Sequence, residues 1–101
     1  MVNKKLKLVK VAKQKFVKQI LRELKEGYPD TLTMDGYDDC IIGICTRFGQ
    51  EPIVAYDRAM VLNKHMEEGM TYDEAVEFFE FNQIGSWVGD RTPCFIDHLP
   101  S

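Results

Sequence analysis

The sequence predicts an α+β domain with the element order α-β-β-α-α-β: an N-terminal amphipathic helix, a small, mostly antiparallel sheet and an αα-hairpin. Three observations carry this prediction. Apolar residues recur at three- and four-residue steps over residues 4–26, the repeat of one helix face. Two short runs rich in β-branched residues follow, Cys40 to Phe48 and Ile53 to Tyr56, separated by Gly49-Gln50-Glu51-Pro52, which reads as a turn. Thr71 stands three residues before Glu74, the reciprocal capping pattern that opens a helix. The chain has 101 residues, 45% apolar and 29% charged, a size and balance that fit a single domain with one core.

The first helix is expected to bury Leu6, Val9, Phe16, Ile20 and Leu24, with Val17 and Leu21 widening the stripe and Lys13 filling its one gap. Gly27 is expected to stop it in a left-handed conformation, and Tyr28-Pro29-Asp30 cannot continue it. Tyr28 to Asp39 holds Pro29, Gly36 and four Asp and reads as a loop. The run from Cys40 to Phe48 reads as a strand buried on both faces, with Gly43 allowing a close approach. Ile53 to Tyr56 is its expected antiparallel hairpin partner. Asp57 is placed to cap a helix from Arg58 to Glu68, closed by Gly69. Thr71 opens a helix over 72–82 whose inward stripe is Tyr72, Ala75, Val76 and Phe79, and Asn82 and Gly85 end it. Ser86-Trp87-Val88 reads as a short strand or extended edge, Gly89 to Pro93 as a turn, and Cys94-Phe95-Ile96 as a last strand. The tail from Asp97 is expected to fray.

Charge divides the chain in two. Residues 1–27, the basic amphipathic helix, hold eight Lys and Arg22 against Glu23 and Glu26, a net +7. Residues 28–101, the acidic α+β body, hold Lys64, Arg47, Arg58 and Arg91 against fourteen carboxylates, a net −10. The basic helix either docks on an acidic body, its own or a second copy's, or meets a polyanion, or is a solvated face. No apolar run reaches the roughly 20 residues of a membrane span. No apolar block follows Met1-Val2-Asn3-Lys4-Lys5, so a secretory signal is not expected and the chain is assigned to the cytoplasm. Cys40, Cys45 and Cys94 are odd in number and form no CxxC pair. They are expected to be reduced thiols filling small apolar sites.

The body resembles a known family. The words that carry the likeness are Tyr37-Asp38-Asp39-Cys40-Ile41-Ile42-Gly43, Val54-Ala55-Tyr56-Asp57 and Gly69-Met70-Thr71-Tyr72-Asp73-Glu74-Ala75. The most distinctive are Phe79-Glu80-Phe81-Asn82, Gly85-Ser86-Trp87-Val88-Gly89-Asp90 and Thr92-Pro93. Over residues 37–96 the chain is similar to small proteins encoded by tailed phages and prophage-like regions. The likeness excludes the basic helix. No established activity comes with that family, so the resemblance implies a setting, the host cytoplasm, and a role through a host or phage protein partner.

Chemical signatures are sparse. The spacing of Asp35, Asp38 and Asp39 does not match a calcium-binding loop, and these residues read as turn-forming. No zinc spacing, phosphate-binding glycine loop or nucleophile elbow occurs, so no catalytic residue, metal or cofactor is expected. A thiol pairing of His65 with Cys45 or Cys94 is the enzymatic option; a structural or solvent-exposed histidine near a helix C-terminus is the simpler one. Trp87 is either core or a binding anchor. Phe78, Phe79 and Phe81 cannot all face inward, so Phe78 or Phe81 is expected at the edge of the core.

Three readings stay open. The first is a small non-enzymatic interaction protein, alone or as a homo-oligomer, using Phe78, Phe81 and Trp87. The second is a nucleic-acid or nucleotide binder using the helix residues Lys10, Lys13 and Arg22, or a pocket near Arg47, Arg58 and Arg91. The third is an enzyme with a thiol or carboxylate site.

Overall fold

The computed structural model describes residues 4–85 and 88–100, with side chains from residue 13 onward. The domain is α+β in the order α-β-β-α-α-β. Helix α1 spans Lys4–Gly27 and is followed by a short 3-10 turn, Asp38–Cys40. Strands β1 (Ile41–Cys45) and β2 (Ile53–Asp57) form an antiparallel hairpin, and helices α2 (Arg58–Glu67) and α3 (Tyr72–Phe79) follow. The chain continues from α3 into a π turn, Glu80–Ile84, and ends in strand β3, Cys94–Ile96. The sheet order is β1-β2-β3, and β3 runs parallel to β2, so the sheet is mixed. Among the described residues, no helix is long and apolar enough to cross a membrane.

The core gathers Val17, Ile20 and Leu24 of α1, Cys40, Ile41, Val54 and Tyr56 of the sheet region, and Val61, Leu62, Ala75 and Phe79 of the hairpin. Helix α1 therefore docks on the body through Val17, Ile20, Leu24 and the half-buried Leu21, against β1 and the 3-10 turn. Phe16 lies outside that stripe, 56% exposed. Residues 16 and 17 are both apolar and sit about 100° apart on the helix, so the spacing allowed either register, and packing selected Val17. Leu6 and Val9 of the expected stripe have side chains outside the described residues. Gly27 is the last residue of α1 and is not among the positive-φ glycines. The helix is closed by Tyr28 N–H donating to the Leu24 carbonyl at 2.6 Å, and Pro29 then prevents its continuation.

The buried strand is β2, whose Ile53, Val54, Ala55 and Tyr56 are all within the core. Strand β1, expected to be covered on both faces, is an edge strand with Ile44 exposed and an irregular register between Ile41 and Gly43. Among the described residues it pairs with β2 alone, and Phe48 beyond its end is fully exposed. Tyr56 anchors the loop before β1, because its buried hydroxyl accepts from the Met34 N–H at 2.7 Å.

The caps fall where local chemistry places them. Asp57 accepts from the Met60 N–H at 3.2 Å. Thr71 accepts from the Glu74 N–H at 3.2 Å, and Glu74 accepts from the Thr71 N–H at 3.0 Å. Gly69 turns the hairpin at φ +107°, a conformation that costs an L side chain energy. Thr71→Ala should lower stability by about 1 kcal/mol, and Gly69→Ala by a comparable amount. Urea unfolding checks both, and an unmoved midpoint for either variant would count against its cap. Of the expected α3 stripe, Ala75 and Phe79 are fully buried and Val76 partly, whereas Tyr72 is exposed. The tail is held: His98 Nε2 lies 3.0 Å from Asp57 Oδ2, and Arg58 reaches Asp97 at 3.5 Å.

All three cysteines are free thiols. Burial pushes the Cys40 thiol up to about 11 and raises that of Cys94. Cys45 and Cys94 sit on the strands flanking β2, and their thiols interact. Their backbones stand two strand spacings apart, about 9–10 Å, wider than a disulfide spans. Thiol titration in denaturant without reductant should therefore return three thiols per chain, and one per chain would mean a disulfide. In the native state Cys40 and Cys94 should react slowly at neutral pH, because the thiolate is the nucleophile.

Candidate functional site

The aromatic residues after the capping box build the most distinctive surface. Ala75 and Phe79 take α3 into the core, which leaves Phe78 on the rim of the inward face. At the end of α3 the backbone widens into the π turn, closed by Gly85 N–H donating to the Glu80 carbonyl at 3.0 Å. A π turn inserts an extra residue into the helical repeat and re-aims the side chains that follow it. Phe81 is left 74% exposed and Phe78 38% exposed. Together with Met70, Glu74, Glu77 and Asn82 they line an open groove of about 360 Å³. Its charged lining residues, Glu74 and Glu77, are both acidic, and residues 72–84 contain no Lys or Arg. The Thr71 N–H and hydroxyl bonded to Glu74 hold its carboxyl below the usual range, so it stays charged in mild acid.

Behind the groove lies a polar feature inside the core. His65 of α2 is 1% exposed, and its ring packs edge-on against Phe78 at 4.8 Å and Tyr37 at 5.8 Å. Its Nε2 donates to Gln83 Oε1 of the π turn at 3.1 Å, and Nδ1 is buried without a partner. The π turn thus brings Gln83 over His65 while it turns Phe81 outward. Next to it, Lys64 donates to the Gly36 carbonyl at 2.6 Å and to Asp39 at 2.9 Å, with Tyr37 beneath its ammonium at 5.3 Å. The Lys64 ammonium holds the Asp39 carboxyl low. Asp39 is therefore engaged with a cation at the head of β1. Residue spacing gives no sign of Gln83 and leaves His65 either structural or exposed; the hairpin packing buries it.

The other candidates fall elsewhere. Lys13 and Arg22 are exposed on α1, and Lys13 reaches the Met60 sulfur at 3.7 Å. Lys10 and Trp87 have side chains outside the described residues. The three arginines do not converge. Arg91 binds Glu51 at 2.8 Å and Asp30 at 3.3 Å, beside a cavity of about 880 Å³ between residues 29–32, 49–51 and 88–91. Arg47 donates to the Asp90 carbonyl at 2.6 Å, whereas Arg58 lies over the Phe79 ring at 5.3 Å. With Asp30, Glu51 and Asp90 lining it against Arg91, that cavity carries more negative than positive side chains. Among the described residues no three His, Cys, Asp or Glu side chains group as metal ligands.

No family model matches the sequence, and neither a curated protein nor a solved structure matches it.

Proposed function

We propose that this chain is a small non-enzymatic interaction protein of phage type. Its groove at Phe78 and Phe81 takes an apolar-faced, basic segment of a protein partner. One observation carries the reading: Phe81 stands 74% exposed on a π turn, beside Phe78 and the carboxylates of Glu74 and Glu77. Large aromatics at the centre of a desolvated contact supply most of the energy of an interface, and charge on the rim sets partner choice and on-rate. The test is fluorescence anisotropy of a labelled Lys/Leu helical peptide against the full chain. Saturable binding that Phe81→Ala weakens about tenfold or more, and that salt weakens further, is expected. Absence of binding, or equal binding by the variant, would overturn the reading.

A second reading rests on a different surface. The described lysines of α1, Lys13, Lys15, Lys18 and Lys25, are exposed, and among the described residues none is in an ion pair. Such a face suits nucleic-acid phosphates. DNA or RNA affinity falling steeply with salt, and insensitive to Phe81→Ala, would favour it over the groove.

A further inference from the structure

The charge division and the two apolar faces of α1 bear on what fills the groove. Helix α1 is fastened to its own body by Val17, Ile20, Leu21 and Leu24, against β1 and the 3-10 turn. That attachment uses one side of its C-terminal half. Phe16, one position and about 100° away, is 56% exposed. Leu8, Val9 and Ala12 precede Phe16 by eight, seven and four positions, the helical repeat of a second apolar stripe. Residues 4–16 also carry Lys4, Lys5, Lys7, Lys10, Lys13 and Lys15 and no carboxylate. A segment with an apolar stripe and six positive charges is the chemical complement of an aromatic groove whose charged lining residues are Glu74 and Glu77.

We propose that the occupant of the Phe78–Phe81 groove is the first half of α1, residues 4–16, from a second copy of this chain. The inference rests on the groove reading above and names its partner. Because α1 is anchored on a different part of its own body, the donor is another molecule. The contact is therefore heterologous, helix into groove, and it builds a closed pair when two such contacts close by symmetry, or a growing chain when they do not. Opposite charge on the two surfaces speeds encounter and makes the assembly sensitive to salt.

Two full-length variants at exposed positions test it. Phe81→Glu disables the groove and leaves α1 intact. Phe16→Glu disables the α1 stripe and leaves the groove intact. Light scattering should give the wild-type chain a mass of at least twice its 11.7 kDa, falling at high salt. Each variant alone should be at least tenfold weaker in self-association and run as a monomer. An equimolar mixture should return to a dimer, since one variant supplies the helix and the other the groove. Circular dichroism melts confirm that both variants are folded. A wild-type monomer overturns the inference, as does a Phe16→Glu variant that still dimerises or a mixture that stays monomeric. If the wild-type chain is monomeric yet binds the Lys/Leu peptide, only the second-copy assignment fails; if it does neither, the groove reading fails with it.

Discussion

Phe79→Ala should lower the unfolding free energy by about 3–5 kcal/mol, the cost of emptying a closed aromatic site. Phe79 has no exposed surface. Its ring meets Phe95 of β3 edge-to-face at 4.8 Å, and the Arg58 guanidinium of α2 covers it at 5.3 Å. One side chain therefore ties α3 to the last strand and to the preceding helix. Domains of this size are stable by only about 5–15 kcal/mol, so the variant should sit close to unfolding at body temperature. Phe81→Ala, two residues on and largely exposed, should change stability by less than about 0.5 kcal/mol. Urea denaturation of the pair gives the comparison. Equal losses would mean that the aromatic cluster is divided differently between core and groove.

Gly85→Ala should be the most damaging change at the groove itself. A Cβ at this position would stand 2.7 Å from the Phe81 carbonyl oxygen and 3.1 Å from that of Glu80. Both atoms are backbone, so neither yields as a flexible side chain would. The φ of Gly85 is an ordinary −68°, which makes the obstacle purely steric. Relief requires opening the bond from the Gly85 N–H to the Glu80 carbonyl, and with it the π turn. The expected loss is about 1–3 kcal/mol, typical of overpacking. Phe81 and Gln83 should move together, because both ride on that turn. Peptide affinity for the groove and the environment of the His65 ring, followed by NMR, should change in the same variant. An unmoved melting temperature with an unperturbed His65 signal would show that the turn has room for a methyl group.

What could be read from the chain is what local chemistry decides. Asp57, Gly69, Thr71 and Glu74 act within a few residues of themselves, and each sits where its side chain or backbone freedom requires. The order of elements follows from the same local rules. Phe16 and Tyr72 are harder, since a helix with adjacent apolar residues offers more than one inward face and only the packed body selects between them. Strand β1 has the composition of a central strand, yet neighbours on a sheet are set by pairing, and β2 took the middle. The parallel entry of β3 depends on where the helical hairpin returns the chain. The π turn leaves almost no mark in sequence; Gly85 is the one residue whose lack of a side chain it demands. His65 and Gln83 meet only because that turn exists, so the polar pair behind the groove was invisible in residue spacing.

The parallel pairing of β2 with β3 also sets an order of events during folding. The β1–β2 hairpin closes over a short turn, a local step in the microsecond range. Ala55 meets Cys94 only after α2, α3 and the π turn have carried the chain back, so this contact bears most of the loop-closure entropy. Nucleation is then expected in the hairpin and the helices beside it, with β3 arriving after the barrier. Truncating Phe95 would steepen the escape from the native state while leaving the refolding arm of the chevron nearly where it was. The lifetime of the folded molecule, more than the speed of its making, is thus held by three residues at the edge of its sheet.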